Sequence, residues 1–215
     1  MELSCSLFAS RIIQGIFERL NFKNQEEFIN ASLSNLFDLI KDCNGLYVIL
    51  RIMEEVKKNE EKGKFFNNYN KGKEITLSFF YDIIKQNLEN FCFDKYGCCF
   101  VQKSLGFAYP QVKEEIISLL MKNKENFLEH SYGNYVIQEI ISFKDNKINQ
   151  EILDLISLDL VSCCMKKPTA NIIEKLLKNY KKETQRIFDN EIKTNNNFIR
   201  DLVTNNYGNY GKLGS

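Results

Sequence analysis

The feature that most constrains the fold of this chain is an internal repeat. Six segments align without gaps on one residue, which we call the marker: FASRIIQGIF, NGLYVILRIM, YGCCFVQKSL, YGNYVIQEI, PTANIIEKLL and YGNYGKLGS. In the same order, the markers are Ser10, Leu46, Cys98, Asn134, Ala170 and Asn209, and three of the five intervals between them are 36 residues. A unit of this size cannot bury its own apolar side, so we predict that the copies stack into a solenoid.

Apolar residues keep one phase through the copies. In the first five, the second and third residues after the marker form an apolar doublet: Ile12-Ile13, Val48-Ile49, Phe100-Val101, Val136-Ile137 and Ile172-Ile173. The doublets predict a short helix around each marker, the marker helix, with one buried face. Stretches such as VKEEIISLLMK predict a longer helix after it. The sequence therefore predicts an all-α fold.

The domain prediction follows the repeat. We expect one domain over residues 1–215, with repeat cores near 1–30, 36–80, 88–120, 124–156, 160–192 and 198–215. The second copy carries an insertion over 59–74, NEEKGKFFNNYNKGKE, whose charge and Asn content predict a mobile surface loop. Its Phe65, Phe66 and Tyr69 are candidates for docking a partner, although aromatic residues in loops also cover the scaffold.

Composition and spacing argue against several function classes. With 29 Lys and Arg against 28 Asp and Glu, the net charge of +1 argues against gripping a polyanion by bulk charge, but not against reading bases. Seven cysteines without a CxxC motif, and His130 as the single histidine, predict reduced thiols, a reducing compartment and no metal site. The sequence predicts neither a secretory segment nor a membrane span. It lacks a paired nucleophile and base and a phosphate-binding glycine motif, so we expect no catalytic activity and no cofactor.

The residues beside the markers share one arc of the helix. At about 100° per residue, Asn134, Tyr135 and Gln138 fall together, while Val136-Ile137 points away from them. This predicts an exposed ridge of two amides and one aromatic ring. A single such ridge is most often a solvated face, but its recurrence in phase favours a shared function.

With YGNYVIQ, YGCCFVQK and TANIIEK at 36-residue spacing, the chain resembles the Pumilio (PUF) repeat family over essentially its whole length. The resemblance implies a curved right-handed α-solenoid of about six three-helix repeats that binds single-stranded RNA at one base per repeat. It also implies that the marker and the residue four positions later contact the edge of one base, while the residue after the marker stacks. The implied RNA-binding residues are Ser10, Arg11 and Gln14; Leu46, Tyr47 and Leu50; Cys98, Cys99 and Gln102; Asn134, Tyr135 and Gln138; Ala170, Asn171 and Glu174; and Asn209 and Tyr210.

The hydrogen-bonding groups at the marker and four residues later then imply which base each copy contacts. The fourth copy and the last, with amides, suit uracil; the fifth suits guanine, because the Glu174 carboxylate matches paired N–H donors; the third, with Gln102, suits adenine. The second copy has no polar edge contact and accepts any base, and the first resembles an adenine reader. Family members bind RNA antiparallel to the protein chain, so the order implies the element 5′-UGUA-N-A.

Several residues depart from the family pattern. Cys99 stands where an Arg or an aromatic residue is usual, so stacking there should be weak. Ala170 replaces the usual Ser, and Leu213 stands where the last copy should have Gln. The chain has about six copies where the family commonly has eight, so a reduced member and a fragment both stay open.

By this resemblance the chain is a cytoplasmic, monomeric protein that binds mRNA 3′ untranslated regions and represses translation or promotes decay. Protein corepressors are expected on its convex face or on residues 59–74. Two other functions stay open. An α-solenoid can bind a protein segment on its concave face, and a PUF-like ribosome-biogenesis factor binds nucleic acid with weak sequence specificity. The latter is expected to carry more basic residues on its inner face.

Overall fold

A computed structural model describes residues 7–205, and nearly all of their regular structure is helical. In chain order, the helices and strands are α1 (Leu7–Phe17), α2 (Phe22–Leu33), α3 (Leu36–Ile40), α4 (Gly45–Glu60), β1 (Phe66–Asn68), β2 (Lys73–Ile75), α5 (Leu77–Gln86), α6 (Leu88–Cys92), α7 (Gly97–Phe107), α8 (Pro110–Lys122), α9 (Lys124–Glu129), α10 (Gly133–Ser142), α11 (Asn146–Ser157), α12 (Leu160–Met165), α13 (Lys167–Asn179), α14 (Lys181–Thr194) and α15 (Phe198–Thr204).

The helices repeat in threes. A short helix of five or six residues precedes each marker helix from α4 onwards, and a longer helix follows, as in α9, α10 and α11. The predicted all-α fold of three-helix repeats is confirmed. Among the described helices, none combines the length and the apolar character that crossing a bilayer demands.

The chain forms two compact units, residues 1–119 and 120–215. In the first unit, α4 packs against α1, α3, α5 and α7. The doublets Val48-Ile49 and Phe100-Val101 are buried there, as predicted. The buried Tyr81 on α5 donates its hydroxyl hydrogen to the backbone carbonyl of Ser104 on α7, at 2.6 Å. This hydrogen bond satisfies the one polar atom of a large buried ring.

The second unit is organised around α13, which packs against α9, α10, α11, α12 and α14. Val136-Ile137 on α10 and Ile172-Ile173 on α13 are buried as predicted. The repeated doublet thus forms the apolar seam by which neighbouring copies bury each other within a unit.

The first copy departs from this rule. Ile12 is 61% exposed, and Phe8 and Ile16, one helical turn before and after it, are also exposed. The prediction of a buried doublet is therefore wrong for Ile12. Within residues 7–205, α1 packs chiefly against α4, so the opposite face of α1 has no neighbour there to cover it.

The insertion also differs from its prediction. Helix α4 continues through Asn59 and Glu60, and Phe66–Asn68 pairs antiparallel with Lys73–Ile75 in a short hairpin. Phe66 is fully buried and stacks on Phe22 of α2, with ring centroids 4.3 Å apart. The predicted surface loop is therefore a folded hairpin, because the apolar residues on its inner side find a partner in α2.

The position fifteen residues after the marker holds a buried amide in two copies, and only one of the two amides is hydrogen-bonded. Fifteen residues after the first marker, Gln25 donates its Nε2 hydrogen to the backbone carbonyl of Phe17 at 3.0 Å. Asn149 holds the same position in the fourth copy and is fully buried, but neither of its amide atoms has a hydrogen-bond partner among the described residues. Its side chain is one methylene shorter, and an unpaired buried amide costs about 1–3 kcal/mol.

We expect Asn149→Gln to raise the free energy of unfolding by about 1 kcal/mol, because the longer amide can reach the carbonyl of Ile141, the counterpart of Phe17. The matched control is Gln25→Asn, which should lower stability by a similar amount. Urea denaturation followed by circular dichroism measures both changes. An unchanged or reduced stability in Asn149→Gln contradicts this explanation.

Candidate nucleic-acid interface

In copies two, three and four, a side chain four residues before the marker caps the start of the marker helix. The Asp42 carboxylate accepts hydrogen bonds from the backbone N–H groups of Asn44 and Gly45, at 2.9 and 2.7 Å. Asp94 does the same for Tyr96 and Gly97, at 2.9 and 2.8 Å. These bonds satisfy donors that a helix start leaves unpaired.

In the fourth copy the same role falls to His130. Its Nδ1 accepts from the N–H groups of Tyr132 and Gly133, both at 3.1 Å. An imidazole nitrogen can accept in this way when the ring is neutral and its proton is on Nε2. From the sequence alone, His130 is expected to be a surface or packing residue before the marker helix, and the cap is not foreseen. The signal was present in the alignment, since Asp42, Asp94 and His130 all precede their markers by four residues.

The residue before the marker is held tightly as well. A Cβ atom added to Gly45 would lie 2.6 Å from the carbonyl oxygen of Leu39, and one added to Gly97 would lie 2.5 Å from that of Phe91. Glycine at these two positions lets the marker helix begin directly against the preceding short helix. In the fifth copy, Thr169 instead donates its hydroxyl hydrogen to the corresponding carbonyl, that of Cys163.

We expect His130→Asp to stabilise the second unit by about 0.5–1 kcal/mol at neutral pH. A carboxylate is a stronger acceptor than imidazole, and its charge is favoured near a helix N-terminus. The reciprocal control, Asp94→His, should lose a comparable amount. Thermal unfolding of the two variants tests the prediction, and stabilisation by both substitutions, or by neither, contradicts the capping role.

The markers themselves are not on the surface. Ser10, Leu46, Cys98 and Asn134 are all buried, and Asn134 is only 1% exposed. Its Nδ2 donates to the carbonyls of His130 and Ser131, at 2.8 and 2.9 Å. The predicted exposed ridge is therefore wrong for Asn134. Its side chain lies in the first turn of α10 and folds back onto the carbonyl groups of the residues just before the helix.

The stacking positions are exposed in three copies. Tyr47 and Tyr135 are 43% and 40% exposed, and Arg11 is also on the surface. Cys99 and Asn171 are half-buried. The Lys103 ammonium lies 5.5 Å from the centroid of the Tyr47 ring, so the second copy combines an aromatic plane with a nearby cation. These side chains offer flat surfaces on which a base can stack.

A glutamine four residues after the marker recurs in three copies, and in each it is hydrogen-bonded to the marker residue. Each Nε2 donates one hydrogen back to the marker: Gln14 to the Ser10 hydroxyl at 3.1 Å, Gln102 to the Cys98 carbonyl at 3.0 Å and Gln138 to Asn134 Oδ1 at 2.9 Å. All three glutamines are half-buried. The bond holds the amide in place and leaves its carbonyl oxygen and second N–H for a ligand.

The other two described copies carry different groups. Glu174 of the fifth copy is exposed and pairs with Lys178 at 2.6 Å, an interaction of one helical turn that water screens. Ala170, the marker of that copy, is half-buried. In the second copy, Leu46 and Leu50 are buried and offer no polar group beside Tyr47. Asn209 and Tyr210 of the last copy, with Leu213, lie outside the described residues.

The buried thiols of Cys98 and Cys164 are in the unreactive, protonated form. Burial, with a smaller effect from neighbouring Cys99, raises the pKa of Cys98 to about 12, and burial raises that of Cys164 to about 12. Both are therefore protonated at neutral pH. Cys98 donates its S–H hydrogen to the carbonyl of Lys95, at 3.3 Å. Within residues 7–205 there is no cluster of three or more His, Cys, Asp and Glu side chains that could hold a metal ion.

Comparison with known proteins identifies the repeat. The model of the Pumilio-family RNA binding repeat matches residues 1–31, 35–67, 87–121 and 129–157, more than half of the chain. The chain belongs to the Pumilio family. The four matched ranges correspond to the first four copies, and the assignment of Glu174 in the fifth rests on the alignment and on the geometry described above.

Relatives by sequence are distant. The chain is 24% identical over 119 residues to the putative pumilio homolog 7, chloroplastic, of Arabidopsis thaliana, and 26% identical over 121 residues to pumilio homolog 12 of the same plant. Each match covers 55% of this chain but only 16% and 17% of the respective relative. The chain thus matches only a small part of either plant protein.

Solved Pumilio structures resemble the whole chain. The structure of PUF-8 in complex with PBE-RNA matches with a TM-score of 0.75 at 20% identity, over 97% of this chain and 58% of that one. The Puf3 RNA binding domain bound to a Cox17 RNA 3′ UTR recognition sequence also gives a TM-score of 0.75, at 22% identity, over 97% of this chain and 61% of that one. At these identities the comparison establishes the fold.

Proposed function

We propose that this Pumilio chain binds single-stranded RNA in a sequence-specific way, with one base at each marker helix. The observation that carries the proposal is the recurrent glutamine of copies one, three and four. Each is held by a hydrogen bond one turn back and presents a polar amide edge beside the stacking position. Pumilio structures of the same fold contain RNA, which supports the proposal.

The structure refines the role of each side chain in this proposal. Because Asn134 spends both of its N–H groups on its own repeat, Gln138 is the edge reader of the fourth copy and Asn134 positions it. Likewise, Cys98 is a small, buried marker beside Gln102, which alone can contact the acceptor and donor of adenine. Glu174 matches the donors of guanine. Read from the last copy to the first, these preferences give 5′-UGUA-N-A.

The wider role follows the resemblance. We propose that the chain acts on mRNA 3′ untranslated regions in the cytoplasm, as a monomer without catalytic activity, and represses translation or promotes decay through bound corepressors. Its charge balance suits this mode of binding, since base edges and stacking carry the recognition and few phosphates need be neutralised.

The primary test is fluorescence anisotropy with the labelled RNA 5′-UGUAUA and its variant with C in place of G. The variant should bind about 5- to 160-fold more weakly, because a mismatched edge costs on the order of 1–3 kcal/mol by analogy with base contacts in DNA. Equal affinity for the two RNAs contradicts sequence-specific binding. Binding of a protein segment with no RNA binding at all would favour the scaffold function.

The second test is Glu174→Gln, which should reduce the preference for G over C by about tenfold while leaving the fold intact. The matched control is Lys178→Gln, which removes the partner of Glu174 but keeps the carboxylate. The preference for G should survive in that control. Undiminished discrimination in Glu174→Gln shows that another group reads this base.

A further inference from the structure

The hairpin of the second copy is clamped onto the longer helix of the first. Besides the stacking of Phe66 on Phe22, Asn30 of α2 donates to the carbonyl of Asn67 at 2.8 Å and accepts from the N–H of Tyr69 at 2.9 Å. Asn30 is itself buried. The hairpin therefore has a defined position on α2, where none of the residues proposed to read RNA lies.

The tip of the hairpin is also held. The side-chain oxygen of Asn68 accepts from the N–H groups of Asn70 and Lys71, at 3.0 and 3.1 Å, and the N–H of Gly72 donates to the Asn68 carbonyl at 2.9 Å. Gly72 has a φ of +58°, which suits glycine in a tight turn. The lysines of the tip thus project from a folded turn.

The hairpin carries four lysines, with the carboxylates of Glu60, Glu61 and Glu74 at the two ends of the segment. Its lysines are exposed, no acidic residue lies between positions 62 and 73, and none of the four forms an ion pair with any described residue: Lys62, Lys64, Lys71 and Lys73. The neighbouring helices behave differently, since Lys58 pairs with Glu55 on α4. Over residues 59–74 the four Lys and three Glu leave a net charge of +1, so what the hairpin offers a ligand is a set of exposed ammonium groups without an ion-pair partner among the described residues.

Aromatic rings lie among these lysines. Phe66 points inward, so its neighbour Phe65 and the tip residue Tyr69 are outside, 38% and 58% exposed. Desolvation, followed by the nearby carboxylates of Glu26 and Glu27, raises the pKa of Tyr69. Aromatic planes between cations are typical of surfaces that bind single-stranded nucleic acid.

We propose that the hairpin is a second RNA contact, which binds phosphates and unstacked bases outside the six-base element. The inference rests on the proposed function for its orientation: the N-terminal copies are expected to meet the 3′ end, so the hairpin takes the 3′ flank. Lysines supply the phosphate contacts, and Tyr69 and Phe65 supply the stacking surfaces. An acidic protein segment would use the charges but leave the exposed rings without a role.

The test compares 5′-UGUAUA with two longer RNAs that carry ten uridines on the 3′ or the 5′ side. The 3′ extension should strengthen binding by the wild-type chain about tenfold, and the 5′ extension should do so less. The double variant Lys71→Glu/Lys73→Glu should lose this gain and bind the short RNA normally. Raising the salt concentration should also reduce the gain, with a log–log slope of about 0.7 per phosphate contacted.

The matched control is Lys181→Glu/Lys182→Glu on α14, which makes the same charge change at two exposed lysines of the second unit. It should keep the gain from the 3′ extension. If the double hairpin variant does not fold, as judged by circular dichroism, Tyr69→Leu repeats the test with the strand pairing intact.

The outcomes separate the two proposals. Failure of the wild-type chain to bind 5′-UGUAUA contradicts the proposed function. The comparison of the wild type with the hairpin variant on the 3′-extended RNA tests separately whether the hairpin contacts RNA. No gain from the 3′ extension, or an equal loss in the α14 control, overturns the inference. Loss of poly-glutamate binding in the hairpin variant, with RNA binding unchanged, would instead identify a docking surface for acidic proteins.

Discussion

The interaction on which the rest depends is the cap at the start of the marker helices of copies two, three and four. A side-chain acceptor four residues before the marker fixes the first N–H groups of the helix, as Asp42, Asp94 and His130 do. Rotation of a helix by one residue turns its side chains through about 100°, so the cap decides which residues face the core and which face a ligand. In α4 and α7 the close contacts of the first glycine also place the start of the marker helix directly against the short helix before it, α3 or α6.

With its rotation fixed in this way, a marker helix packs into the core on one side and presents side chains at the surface on the other. In copies two to four the marker and the doublet after it are buried, while the residue after the marker is at least partly exposed, as is the glutamine four positions after the marker in copies three and four. Asn134 and Gln138 show the division, because the buried amide holds the half-buried one. Where the fourth-position residue is apolar, as at Leu50, the helix keeps its packing and gives up a polar edge contact. The residue at this position can therefore vary between copies without a change of fold.

The hairpin shows how an insertion becomes part of the structure. A short two-stranded hairpin is at best marginally stable in water. Here Phe66 and Ile75 are buried and α2 supplies both a stacking ring and the Asn30 amide, so the segment folds on a surface that already exists. Its exposed side is then available to carry charge and aromatic rings without cost to the core.

The sequence by itself determined the all-α repeat, the phase of the doublets in copies two to five and the alignment of the positions one and four residues after each marker, because recurrence at 36 residues is visible in one dimension. Only the tertiary structure decided that Asn134 is buried, that Ile12 is exposed and that residues 66–75 form a hairpin on α2. These outcomes depend on which surface lies opposite each residue: a carbonyl before α10, the Phe22 ring and, for one face of α1, no neighbour among residues 7–205. Local spacing carries no information about such partners, which are distant in the chain or supplied by the turn geometry.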